Sequence, residues 1–145
     1  LSLAGLSLGT ELLFVVYFLL GYFLYAGLFA AVAAISNSES DARQAQLPVV
    51  VILMVPPLLL PAVVSDPHSS LATGLSIIPF SAPMMMPVRI VLESVETSQV
   101  AVSILVTGTA VILAAWLAGR IYRVSVLAQG RRLRMRELIN WVRTT

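Results

Sequence analysis

Long uncharged apolar runs separated by short polar stretches set the pattern along this chain. A helix crossing a hydrocarbon core of about 30 Å needs about 20 mostly apolar residues, and in lipid its backbone groups must be satisfied within the segment. Three runs meet that length. Leu12 to Ile35 holds no charge and is preceded by Thr10, a candidate N-cap, and by Glu11 in the positive field of a helix start. Toward its end the side chains shrink. Ala26 with Ala30, and Gly27 with Ala31, set small residues one turn apart, a pattern that lets another backbone approach and predicts packing on protein.

The second run, Leu47 to Val64, carries Pro48, Pro56, Pro57 and Pro61. Pro48 suits a first helical turn, whereas Pro56 and Pro57 each remove a donor and crowd the turn before them, which predicts a kinked helix. The third, Gln99 to Gly119, is free of charge and has Trp116 and Tyr122 near its basic end as interfacial anchors. Between them, Ser69 to Val88 is long and uncharged enough to suggest a fourth span. Pro79, Pro83 and Pro87 argue against it, because a continuous helix would lose a donor on three successive turns. Two short helices broken around Pro79 to Pro83 fit better, as a re-entrant hairpin over about 69–92. Such a segment dips into a membrane only where protein or water covers its free carbonyls.

Composition supports this reading. Of 145 residues 59% are hydrophobic and 11% charged, against roughly 25% charged in a soluble domain. The chain reads as one all-α, polytopic membrane domain over 1–145, with spans at about 12–35, 47–64 and 99–119. It begins at Leu1 with neither a Met nor a basic leader, and so reads as a piece of a longer chain.

The net charge of +2 hides an asymmetry: all nine basic residues are arginine, and seven lie between Arg120 and Arg143. Arginine-rich flanks stay in the cytoplasm. The tail, 120–145, is therefore expected inside, the Ser36 to Gln46 loop inside with it, and Asp66 to Thr97 outside. Arg120, Arg123, Arg131, Arg132, Arg134 and Arg136 are the residues that would fix this topology. From Arg131 to Val142, apolar residues interleave with arginines, which suits a helix on an anionic inner leaflet rather than a nucleic-acid arm.

Candidate chemistry is sparse. Without cysteine there is neither a disulfide nor a thiolate metal site, and the single histidine, His68, reads as a solvated loop residue. No GxxxxGK[ST] loop is present for ATP hydrolysis, and the acids are scattered outside the spans. The expectation is of no enzyme, no bound metal and no cofactor in this chain. Ser103, Thr107 and Thr109 would bond to their own backbone or to a neighbouring helix. Arg89 could snorkel to the outer headgroups or pair with Glu93, one turn on. Met84 to Met86 suit adaptable packing, or the lining of a path for varied apolar cargo.

Three stretches together resemble a known family: Gly21 to Val50, Ser76 to Ile90 and Trp116 to Arg143. They are similar to the C-terminal half of bacterial ABC-2 membrane family permeases, in particular the NatB-like sodium-efflux and related ABC exporter permeases. The most specific pattern is Pro79, Phe80, Ser81, Pro83, Met84, Met86, Pro87 and Arg89, followed by the ending from Ala118 to Arg123. The resemblance implies a permease in a bacterial cytoplasmic membrane that pairs with a second permease copy or a homologous subunit. Each would engage a separate ABC ATP-binding subunit, which carries the ATP and magnesium. It implies gating or transport roles for the re-entrant residues just named. Glu39, Asp41 and Arg43 in the Ser36 to Gln46 loop would touch the ATPase. The substrate would be an ion such as sodium, or a drug-like or lipid-like compound. The reading from another class is a small integral-membrane scaffold without a transport cycle.

Overall fold

The computed structural model describes residues 7–36, 38–92 and 95–127, and every regular element among them is a helix. Three are long and apolar enough to cross a membrane. The first, α1, runs from Leu8 to Ile35. It starts a turn earlier than the apolar run because Ser7, not Thr10, caps it: Thr10 N donates to Ser7 Oγ at 3.4 Å and to Ser7 O at 2.9 Å. Glu11 does sit in the first turn, where its charge suits the helix dipole.

Helix α2 spans Glu39–Ser65, beginning eight residues before Leu47. Ser38 accepts from Asp41 N at 3.1 Å, and Glu39 and Asp41 occupy the first turn, so the polar stretch supplies a good helix start outside the apolar run. Pro48 is therefore an interior residue rather than a first-turn one, and the helix runs on through all four prolines. Pro56 and Pro57 leave the carbonyls of Ile52 and Leu53 without the usual N–H four residues on. In a lipid-spanning helix such groups can be re-satisfied by neighbours.

The segment between the second and third long helices is broken. Helix α3 covers Ser70–Ile77 and α4 covers Ala82–Leu92, with the break at 78–81. Of the three prolines, only Pro79 stands in the break. Pro83 lies in the first turn of α4, where backbone donors lack partners anyway, and Pro87 is inside α4. Helix α5, Thr97–Leu127, continues well past Gly119 through Arg120 and Arg123. Arg131, Arg132, Arg134 and Arg136 lie outside the described residues, as does the expected amphipathic tail.

Helix α1 packs mainly on α5, and α3 with α4 fills the space among α1, α2 and α5. The small-residue face of α1 is used in part. Ala31 is buried, and a Cβ on Gly27 would lie 3.2 Å from Ala114 Cβ, while Ala26 and Ala30 stay exposed. Buried positions recur at seven-residue spacing, Tyr17, Leu24 and Ala31 on α1 and Val49, Pro56 and Val63 on α2. That spacing keeps one stripe of a helix facing its neighbour. A small core joins Val63 of α2, Ala72 of α3 and Met85 of α4. Leu12, Phe18, Leu58, Leu105 and Ile112 face outward, as they would toward lipid.

The α1–α5 contact yields a prediction. Gly27→Val forces a branched side chain into the space of Ala114 and is expected to cost about 1–3 kcal/mol. Gly119→Ala, with nothing within 4 Å of its Cβ, is expected not to lower the midpoint, since alanine is the better helix former. Thermal unfolding of the two variants of the complete gene product in detergent checks the contrast; equal midpoints would refute the packing.

Candidate functional site

The break between α3 and α4 is held by hydroxyl groups. A helix that ends away from water leaves its last carbonyls without intrahelical partners. Here Gly74 O accepts from Ile78 N at 3.0 Å and Leu75 O from Ser81 Oγ at 2.6 Å. Ser76 O accepts from Ser103 Oγ of α5 at 2.6 Å. Beyond the helix end, Ile78 O accepts from Ala82 N at 2.8 Å, and Phe80 O accepts from Tyr25 Oη of α1 at 2.8 Å. The hairpin thus has a donor for each of these carbonyls, three of them side-chain hydroxyls. This is what lets irregular backbone sit among apolar helices.

The tip also meets α1 through a glycine. A Cβ on Gly21 would fall 2.8 Å from Pro83 Cβ, so the proline ring sits directly on the α1 backbone. At 1.5 Å per residue, Gly21 lies about 20 Å from the Leu8 end of a helix about 42 Å long. The hairpin therefore reaches about halfway along α1.

An apolar cavity of about 740 Å³ opens beside the tip. Its walls are α1, α2 and the hairpin, through aromatic residues such as Tyr22, Tyr25 and Phe80, together with Met54, Pro57 and Met84. Pro83 is also on the wall, so the residue that seats the hairpin borders the cavity.

The proline pattern is brought together, but its members face different ways. Ser81, Met86 and Arg89 are buried, Met84 is exposed, and Pro79, Phe80, Pro83 and Pro87 are half-buried. Arg89, at 3% exposure, does not snorkel outward: Nε donates to Pro67 O at 2.9 Å and Nη1 to Gln99 Oε1 at 3.3 Å. Glu93 lies outside the described residues. His68 is exposed in the turn after α2, where its N–H donates to Asp66 Oδ1 at 3.2 Å.

Glu39, Asp41 and Arg43 are not near the hairpin. They occupy the opposite end of α2 from Val63, fully on its surface, with Arg43 Nη2 2.6 Å from Glu39 Oε1. Arg120 lies 5.0 Å from the Trp116 ring centroid on α5, a cation–π contact at the end of the apolar stretch.

Several residues that hold the site escaped the sequence reading: Tyr17, Tyr25 and Gln99. Tyr17 Oη donates to Val100 O at 3.3 Å. A signal was present, since Gln99, Ser103 and Thr107 fall on every fourth position of α5 and form one polar stripe. Ser103 bonds to a neighbouring helix and Thr109 to its own backbone at Leu105 O. The buried Thr107 hydroxyl has no hydrogen-bond partner among the described residues.

A family model described as ABC-2 family transporter protein matches residues 1–120. The chain is similar to a Bacillus subtilis (strain 168) protein named "Uncharacterized protein YhaP", 32% identical over 130 residues, which cover 90% of this chain and 31% of that protein. It is also similar to "Uncharacterized protein MJ1024" of Methanocaldococcus jannaschii, 23% identical over 133 residues, covering 92% of this chain and 33% of that protein. The chain thus spans about a third of the length of the curated relatives it matches. No solved structure matches it.

Proposed function

The chain belongs to the ABC-2 family of transporter proteins, and on that premise we propose that it forms the C-terminal part of the permease of an ATP-driven exporter. The permease sits in a bacterial cytoplasmic membrane with its arginine-rich end inside. It pairs with a second permease subunit, and ATP with magnesium is hydrolysed on a separate ATP-binding subunit. The observation that carries this reading is the hydroxyl-held hairpin, seated halfway along α1 against an apolar cavity. A plug of this kind closes one side of a path and can be displaced without unfolding a span.

Helix α2 supplies the mechanical link. Glu39, Asp41 and Arg43 stand at one end of it, and Val63 near the other packs on Ala72 of α3 and Met85 of α4. Movement of the ATP-binding subunit against the first turns of α2 would reach the hairpin through one continuous helix. Pro56 and Pro57 lie between the two ends, where lost hydrogen bonds make bending easier.

The cavity favours an apolar or amphipathic cargo over sodium. A hard cation asks for a shell of oxygen ligands, whereas these walls are aromatic rings, prolines and methionines. The test is to express the complete gene with each ABC ATP-binding subunit encoded in the same genome and measure co-purification, ATP hydrolysis and efflux of a lipophilic fluorescent amine. Stable association with one of them and ATP-dependent efflux are expected; failure to associate with any would overturn the proposal.

A further inference from the structure

Among the described residues, Arg89 is the only charged side chain that is buried. It projects from α4 and reaches two other elements: Pro67, in the turn joining α2 to α3, and Gln99, in the first turn of α5. One guanidinium thus ties α4 to the turn that leaves α2 and to the start of α5. The tip is fixed independently by Tyr25, Ser103 and the Gly21–Pro83 contact. The base depends on Arg89.

Both acceptors are neutral. Among the described residues no carboxylate pairs with Arg89, although a charge this far from water is held more strongly by an anion than by an amide. A guanidinium also offers a planar fork of five donors that lysine cannot reproduce.

We propose that Arg89 is the positioning residue of the hairpin base, and that the neutral side chain of Gln99 keeps this clamp releasable. Gln99 sets how much of the time α4 is seated. A glutamate at 99 would close the clamp, because the cation is already buried and position 99 is only half-buried, so the new carboxylate is desolvated in part while the attraction is gained in full. A leucine at 99 would open it. The inference concerns seating alone and holds whether or not the chain moves a substrate.

The reporter is Met86→Cys, a fully buried position one turn before Arg89 on α4. It is placed in the complete gene product, with any other cysteine replaced by serine, in isolated membranes at pH 8. Alkylation by N-ethylmaleimide then follows the population in which α4 is unseated. Gln99→Leu is expected to speed labelling about tenfold and Gln99→Glu to slow it about tenfold, the scale set by one charge-assisted hydrogen bond. In an Arg89→Leu background, Gln99→Glu no longer slows labelling. A residue that merely fills space at 99 would respond to both changes in the same direction. If both variants speed labelling, or neither changes it, the proposal fails.

Discussion

Gly21→Ala is expected to lift the hairpin tip off α1 and to raise labelling at a buried cysteine on α4, such as Met86→Cys, by about tenfold or more. The added methyl would sit 2.8 Å from Pro83 Cβ and 3.3 Å from Pro83 Cγ, and the proline ring has no rotamer to escape into. Overpacking of this kind costs about 1–3 kcal/mol. Alanine also favours helix over glycine by about 1 kcal/mol, but that gain falls on α1 alone, whose helical state is already fixed by its apolar length. The hairpin gives way and α1 stays. Gly108→Ala is the control, since its Cβ has nothing within 4 Å although it too lies in a long apolar helix. Unchanged labelling and unchanged ATP-driven efflux in Gly21→Ala would mean that the Gly21–Pro83 contact does not seat the hairpin.

The features readable in the sequence are those set by local chemistry. Three apolar runs of sufficient length and a proline at 79 need no knowledge of packing, and the structure has three long helices with a break at 78–81. The ends of the helices were less legible. Ser7 and Ser38 place caps outside the apolar runs, where a criterion based on lipid thickness does not look. Pro48 was misplaced for the same reason, since α2 begins at Glu39.

The inward faces were not legible at all. Within their apolar runs α1 and α2 are apolar on every side, so hydrophobicity does not distinguish Leu24 from Phe23, of which the first is buried and the second exposed. Neighbours select Tyr17, Leu24 and Ala31, and a neighbour is a property of the fold. Arg89 shows the same limit. Its partners at Pro67 and Gln99 are 22 and 10 residues away in sequence, and only the fold brings them to the guanidinium. The proline pattern marked where the site lies. Of the three hydroxyls that make it possible, Ser81 belongs to that pattern, and the other two sit on α1 and α5.

Those hydroxyls give the second large effect. Tyr25→Phe together with Ser103→Ala is expected to unseat the hairpin more than either change alone, because each removes the donor to a different carbonyl. Tyr25 serves Phe80 O at the tip and Ser103 serves Ser76 O near the end of α3. Hydrogen bonds between membrane helices average only about 0.6 kcal/mol, because broken partners often find others. These two carbonyls have fewer alternatives. Ser76 is fully buried and near a helix end, so its carbonyl lacks the usual intrahelical N–H. A buried acceptor left unsatisfied costs about 1–3 kcal/mol. The single variants are therefore expected to raise labelling at Met86→Cys by about fivefold to 150-fold, and the double variant by roughly the product if the two donors act independently. Thr109→Ala is the matched control, removing a hydroxyl that bonds only to its own helix at Leu105 O. If the double variant labels no faster than this control, the carbonyls at the break are satisfied by other means, and the hydroxyls of α1 and α5 do not hold the hairpin in place.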